Sequence, residues 1–468
     1  MKIAIIGAGI AGCAVYLELK KHLPKIEASA EGHEITIYEA YDTGKDVTSD
    51  DREEGPTHSS TLIVGGGLGI APNGLGVIQR LDEALLRDVT RGGYVISRSN
   101  MKNKNGSLLM CIDINSPYAS EPGSPAKKLN MVACSRHSLW RCLRTRIPDT
   151  AIVNKRVSQV IANPEGRNTI QFVDGSNAVE VDLVIGADGV KSITKRALFP
   201  DAAEDPYPPH YEGLVGIGGF IPAAGLEEFV EKGSMNFIHG GNGFFGYFFS
   251  ESNPSDPKRE SPYDVSEPGD TLAWWSTYEI KECPDRKTLD LADISRRLRE
   301  RHGQWKDPVI QRVLESARVS NMYPTWTSPP LPSWERDGVV LLGDAAHALP
   351  STSGQGVSQA LEDCESFALF LAHQLTRGDS SSPTTQRQAV TKAARQYMEL
   401  RKPRVTEILE SAKRIQNVKR DMGIIREYAM YSFFKLMGLF PNLAAKPMRK
   451  VYEYNIAEQV AQVIASDG

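Results

Sequence analysis

The sequence predicts an α/β protein: a parallel open sheet, an inserted mostly antiparallel β-sheet block, and a helical C-terminal region. Three observations carry this. An apolar strand at the very start runs through a glycine turn into a helix. Two further apolar strands, far apart along the chain, each end in an acid, at Asp188 and Asp344. Between those two lies a stretch rich in aromatic and β-branched residues, and beyond the second the pattern turns helical and charged.

The opening strand, residues 2–6, meets Gly7, Gly9 and Gly12 before an amphipathic run through Val15, Leu17 and Leu19. The three glycines answer separate demands: a sharp turn, close backbone approach to a pyrophosphate, and close packing of helix on strand. The helix start then offers free N–H groups to phosphate. A second apolar strand ends 27 residues after Gly12 at Glu39, whose carboxylate can accept from both ribose hydroxyls of an adenosine. An acid there repels a 2′-phosphate, so this cleft is not expected to take NADP. Residues 10–13 resemble a lipoprotein cleavage box, but a cut only twelve residues in would destroy the phosphate loop, and the signal reading is set aside.

At 468 residues the chain exceeds one hydrophobic core and should split into two or three subdomains. A net charge of −4 gives no electrostatic reason to expect nucleic acid. Six cysteines show neither a CxxC pair nor a metal spacing, which suits a reduced, cytoplasmic protein and points to no metal site. No uninterrupted apolar stretch reaches the roughly 18–20 residues of a membrane span.

Along the chain, the glycine-rich segment 65–74 precedes an amphipathic helix from Val77 to Leu86. Residues 99–130 read as a hairpin or loop, and a helix starts near Arg136 and stops before Pro148. Residues 151–161 and 169–173 read as a β-meander around Asn163-Pro-Glu-Gly166, and 207–280 as a mostly antiparallel sheet. From about 384 the helical pattern is expected to be interrupted at Pro403. The basic stretch 401–420, interleaved with Glu, reads as a solvated helix face.

Two more segments bear chemistry. The strand before Asp188-Gly189 delivers a turn with a serine N-cap, where open α/β sheets place ligands. The strand before Asp344 continues through Ala-Ala-His347 to Gly354-Gln-Gly356, which opens the helix Val357 to Leu375. A strand-end aspartate can bind a ribose or ribityl hydroxyl, and a glycine-rich helix start can stabilise an anionic ring. His347 is expected to complete a turn by hydrogen bonding rather than to act as a base.

Together these motifs resemble those of the class A flavin monooxygenases, the family of para-hydroxybenzoate hydroxylase, salicylate hydroxylase and zeaxanthin epoxidase. The resemblance implies a Rossmann-like FAD-binding domain with an inserted mostly antiparallel β-sheet substrate domain and a helical C-terminal region. It divides the chain into 1–75, 131–200 and 335–380 for FAD, 76–130 and 201–334 for substrate, and 381–468 as the C-terminal helical region. It also implies that Gly7, Gly9, Gly12 and Glu39 hold the ADP part of FAD, and that Arg136 touches its pyrophosphate or ribityl side. Asp188 matches the motif used for both FAD and NAD(P)H, and Asp344 the acid on the ribityl chain. Gly354, Gly356 and Val357 match the segment beneath the flavin pyrimidine, and the segment containing Gly66 the one passing its other edge. Lys195 stands where the family usually has arginine, and Ser358 where it often has asparagine.

The chemistry implied is reduction of FAD by NAD(P)H as a transient co-substrate, addition of O2, and oxygen transfer from a C4a-hydroperoxyflavin to an aromatic or unsaturated small molecule, with specialised metabolism as the expected setting. Phe245, Tyr247 and Trp275 are the candidates for lining the pocket. Tyr247 is the best catalytic candidate, since a buried phenol can orient or deprotonate a substrate hydroxyl. A flavin-dependent alkene reductase and a non-catalytic FAD-fold carrier are the alternatives. The apolar stretch 428–443 is expected to pack on the protein's own substrate domain, with weak membrane docking as its second reading.

Overall fold

A computed structural model of the chain describes residues 1–24, 32–43, 67–114, 128–285, 289–316, 319, 322–377 and 382–467. Its first sheet has six strands in the order Glu335–Arg336, Val339–Leu341, Leu183–Gly186, Lys2–Ile6, Glu34–Glu39, Ile152–Asn154, all parallel except the first pair. The inner strands are buried on both faces, so they read as continuous apolar runs rather than alternating ones. Register aligns Leu341 with Gly186, Gly186 with Ile6, and Ile6 with Tyr38. The chain therefore leaves four neighbouring strands at one carboxyl edge, where Asp344, Asp188, Gly7 and Glu39 follow or end them.

The second sheet has seven strands, in the order Tyr323–Thr327, His210–Pro222, Thr271–Glu279, Gly243–Phe249, Ser234–Gly240, Arg98–Asn103, Leu108–Asp113. Only the pair Ser234–Gly240 and Arg98–Asn103 is parallel. A three-stranded antiparallel sheet of Gly67–Ile70, Met131–Ser135 and Gly93–Ile96 lies between the two cores. Helices Leu291–His302 and Pro308–Ser316 bury Ile294, Leu298, Val309 and Val313 against one face of the seven-stranded sheet.

Several local expectations change. The helix expected from Val77 is two helices, Pro72–Leu81 and Glu83–Arg91, because Asp82 leaves the helical conformation and caps the second by accepting from the Ala84 N–H at 2.7 Å. Both pack into the first core, Pro72–Leu81 against helix Gly356–Arg377 and Glu83–Arg91 against helix Arg136–Arg144. Of the expected meander, Ile152–Asn154 instead joins the parallel sheet beside Glu34–Glu39, and Val157–Ile161 pairs with Asn168–Phe172. Helix Pro383–Gln416 runs unbroken through Pro403. The flanking Arg401 and Arg404 are tied to helix Gly356–Arg377, and this tertiary anchoring offsets the lost backbone donor.

Candidate flavin site

At the opening turn Gly7 has φ +100°, and a Cβ there would lie 2.7 Å from the Ala187 carbonyl oxygen. A Cβ on Gly12 would lie 1.9 Å from the Gly7 oxygen, so both glycines are sterically required. Gly9 is different: nothing lies within 4 Å of its Cβ position, leaving room for a ligand against the backbone. Glu39 Oε2 accepts from the Ala8 N–H at 2.6 Å and Oε1 from the Tyr41 N–H at 3.1 Å, which ties the second strand end to the first turn. Trp140 Nε1 donates to the Ala8 oxygen at 2.8 Å and brings helix Arg136–Arg144 onto the same turn.

Arg136 opens that helix with its side chain exposed, and its charge acts on Asp344 across the edge of the sheet. Asp344 is solvent-accessible, and no described residue hydrogen-bonds its carboxylate. The recess still desolvates it enough to raise its pKa, with Arg136 and His347 opposing the shift. Asp188 behaves otherwise. Its oxygens accept from the Ser192 hydroxyl at 2.6 Å, the Ile193 and Thr194 N–H groups at 2.9 and 3.0 Å, and the Thr194 hydroxyl at 3.0 Å. Asp188 thus shapes its own loop, and the short 3-10 turn Thr194–Leu198 follows. Lys195 is buried and bound to Asp205 at 2.6 Å and the Tyr207 carbonyl at 2.7 Å, so its ammonium is committed to the fold.

Gly354 sits at φ +64°, and Cβ atoms on Gly354 or Gly356 would meet nothing within 4 Å. No acid occupies the first turn of helix Gly356–Arg377, which leaves its positive end uncompensated. Ala71 N–H donates to Ser358 Oγ at 3.3 Å, and a Cβ on Gly74 would lie 2.7 Å from that oxygen. The small Ser358 therefore lets residues 71–74 pack against the start of the helix. Gly66 lies outside the described residues.

Behind this edge is a buried ionic network that sequence reasoning missed. Arg401, expected on a solvated face, has no exposed surface; it binds Asp363 Oδ1 at 2.8 Å and also bonds Glu362. Glu362 further accepts from Asn73 at 2.6 Å and Arg404 at 2.8 Å. Asp363 Oδ2 accepts from the Gly343 N–H at 2.9 Å and lies 2.6 Å from His347 Nε2. Burial alone would raise both carboxyl pKa values, but Arg401 with Arg404 at Glu362, and His347 with Arg401 at Asp363, hold them below the usual range. The available signal was a pair of acids inside a helix whose other faces are apolar.

The seven-stranded sheet divides the aromatic candidates between its two faces. Directly opposed residues share a face: Tyr247 opposes Trp274 and Asn236, whereas Gly246 opposes Trp275 and Phe237. Phe245 and Tyr247 point to the side covered by the two helices, where Phe245 stacks on Trp274 at 5.6 Å and meets His302 at 5.5 Å. The Tyr247 hydroxyl donates to Asp307 Oδ2 at 3.0 Å and accepts from Lys102 Nζ at 3.0 Å. Burial and the Asp307 charge push its phenol well above the ordinary range. This corrects the catalytic expectation: Tyr247 is a buried tie between the sheet and the helix that Asp307 caps.

Trp275 lies on the opposite face with Phe237, Phe244 and Phe248, at centroid distances of 5.8–6.0 Å. A Cβ on Gly246 would fall 2.2 Å from the Trp275 ring, so this glycine lets the indole lie flat across the sheet. The face approaches the three-stranded sheet where Phe248 comes within 2.9 Å of the Gly67 Cβ position. At its far end Lys419 Nζ sits 4.4 Å over the Phe244 ring, and burial lowers its pKa to about 8.

The unbonded acid, the glycine cradles and the helix start fit a dinucleotide with a ribityl or ribose chain. Residues 273–401 match the family described as FAD binding domain. The chain is 26% identical over 418 residues to 3-amino-4-hydroxybenzoate 2-monooxygenase of Streptomyces cremeus, covering 89% of this chain and 86% of that one. It is 25% identical over 414 residues to the chloroplastic zeaxanthin epoxidase of Solanum lycopersicum, covering 86% of this chain and 52% of that longer protein. A solved salicylate hydroxylase substrate complex superimposes with a TM-score of 0.69 at 18% identity, covering 98% of this chain and 97% of the other. Fold and strand-end motifs define a flavoprotein. The chain is an FAD-dependent monooxygenase similar to the class A flavin monooxygenases.

Proposed function

We propose that this protein uses FAD, NAD(P)H and molecular oxygen to hydroxylate or epoxidise an aromatic or otherwise unsaturated small molecule held against the Trp275 face, in specialised metabolism. The observation that carries the reading is the meeting of the strand ends before Gly7, Asp188 and Asp344 at one edge of one sheet. Bound FAD would supply hydride acceptance and oxygen activation, which no side chain provides.

The chain's own residues have distinct parts in this reading. Gly7, Gly9 and Gly12 with the start of helix Ile10–His22 cradle the pyrophosphate, and Glu39 takes the adenosine ribose. Arg136 and Asp344 would hold the ribityl chain, and Asp188 keeps its own loop in shape. Gly354, Gly356 and Val357 present uncompensated N–H dipoles to the ring, favouring negative charge there. Trp275, Phe237 and Phe248 stack the substrate and exclude water, which protects the reactive oxygen. Six free cysteines support a cytoplasmic setting.

Purified protein should be yellow, and NAD(P)H should reduce its flavin faster when the right substrate is present. Labelled oxygen gas should leave its label in the product. A colourless protein that cannot be reconstituted with FAD would exclude the reading, and a saturated, unlabelled product would turn it into an alkene reductase.

A further inference from the structure

Helix Ile424–Gly438 is apolar on both sides, a pattern found in helices that are covered all round. Its inner side is covered: Met430 and Tyr431 pack on the hairpin strand Leu108–Asp113, and the Tyr431 hydroxyl bonds the His239 carbonyl at 2.8 Å and Glu427 at 2.6 Å. This meets the expectation of packing on the protein's own second sheet. The outer side is not covered by any described residue. Ile425 is 83% exposed and Leu439 73%, with Tyr428, Phe433, Leu436 and Phe440 each more than half exposed. Among the described residues, eight of the fourteen large exposed hydrophobic side chains fall within 424–443. Singly scattered apolar residues need no explanation, but a contiguous patch marks a binding surface.

The charges around the patch select the occupant. Between Ile424 and Tyr452 the only acid is Glu427, buried and paired with Lys104 at 2.7 Å. The ionic groups left to solvent there are Arg426, Lys435, Lys446 and Arg449, all cations, while Lys450 pairs with Glu407 on the neighbouring helix Pro383–Gln416. A two-fold contact between copies would set this patch against itself and oppose like charges. An anionic lipid surface complements it: apolar side chains enter the acyl boundary while the cations meet headgroup phosphates. Among the described residues no helix is long and apolar enough to cross a membrane, so the contact is parallel to the surface.

We propose that helices Ile424–Gly438 and Pro441–Tyr452 form an interfacial docking surface for an anionic lipid bilayer. The helices lie against the edge of the sheet that carries the Trp275 face, with the His239 ring 5.2 Å from Phe434. The test is co-sedimentation of the full-length FAD-loaded protein with phosphatidylcholine vesicles, with and without phosphatidylserine. Phosphatidylserine vesicles should bind it, the more weakly at higher salt. Ile425→Asp with Leu439→Asp should reduce binding by about tenfold or more, as should Lys435→Glu with Lys446→Glu. These side chains are exposed, so the melting temperature should stay near that of the parent. The proposal is overturned by absence of binding to either vesicle, by equal binding of the variants, or by a solution dimer that the same substitutions dissolve.

Discussion

Gly12 stands so close to Gly7 that a single methyl group between them would lie 1.9 Å from a carbonyl oxygen, while a methyl on Gly9, between the two in sequence, would touch no described atom. The same substitution should therefore separate fold from ligand. Gly12→Ala overpacks helix on strand and should cost about 1–3 kcal/mol of stability. Gly9 has φ −70°, which alanine adopts freely. Gly9→Ala should leave the unloaded protein unharmed or stabilise it by about 0.4–1 kcal/mol, yet weaken FAD binding by crowding the pyrophosphate. Melting and FAD titration of both variants read the two effects apart. Wild-type FAD affinity in Gly9→Ala means the pyrophosphate passes elsewhere.

Asp344 predicts a trade between stability and binding. Its carboxylate has no described donor and its pKa is raised by burial, only partly countered by Arg136 and His347. A raised folded pKa contributes stability below the ordinary carboxylate value, and that contribution is lost as pH rises through the folded value. Unloaded Asp344→Asn should then melt higher than the parent near pH 7, with the gap closing in acid. Its FAD affinity should fall roughly 10- to 150-fold, the worth of a hydrogen bond to a charged acceptor. An unloaded parent that is the more stable of the two at neutral pH contradicts this account.

The strand-end motifs were legible because each is local: a glycine or acid at the end of an apolar run keeps its meaning wherever the chain later goes. The sides of Tyr247 and Trp275 were not. Strand Gly243–Phe249 is buried along its whole length, so alternation carries no sign of which face meets the helices and which meets the three-stranded sheet. Arg401 was misread for a related reason. Its stretch is interleaved with glutamates that would suit a solvated helix, and its partners Glu362 and Asp363 lie 39 and 38 residues away on another helix. Local charge pattern cannot report such a pairing, nor that the same anchoring carries the helix through Pro403.

The Arg401 network predicts acid sensitivity. Glu362 and Asp363 titrate below the usual carboxylate range, so their contribution is complete above the unfolded pKa and is lost as pH falls through the folded values. Arg401→Met leaves two buried carboxylates short of a partner and should cost about 3–5 kcal/mol at neutral pH. In that variant both acids should take up protons at higher pH than in the parent. Because Asp363 also holds the Gly343 N–H, FAD retention should drop alongside stability. The measurement is the melting temperature of both proteins from pH 4 to 8; parallel curves separated by less than about 1 kcal/mol would remove the network from the account.

Trp275 and Tyr247, on neighbouring strands but opposite faces, should respond to substitution in opposite ways. Tyr247→Phe removes a hydroxyl that joins Lys102 to Asp307 and leaves both with an unmet partner, for about 1–3 kcal/mol of stability. It should leave the pH profile of turnover unmoved, since the phenol faces the helix layer and titrates far above neutrality. Trp275→Leu keeps an apolar side chain on the sheet but deletes the flat ring that Gly246 accommodates. It should raise KM for an aromatic substrate by roughly 2- to 10-fold through lost stacking, with FAD occupancy unchanged. Poorer water exclusion should also release more hydrogen peroxide per NAD(P)H consumed. If Tyr247→Phe instead shifts the pH profile while Trp275→Leu leaves KM and peroxide release at the parent values, the two faces have been assigned the wrong way round.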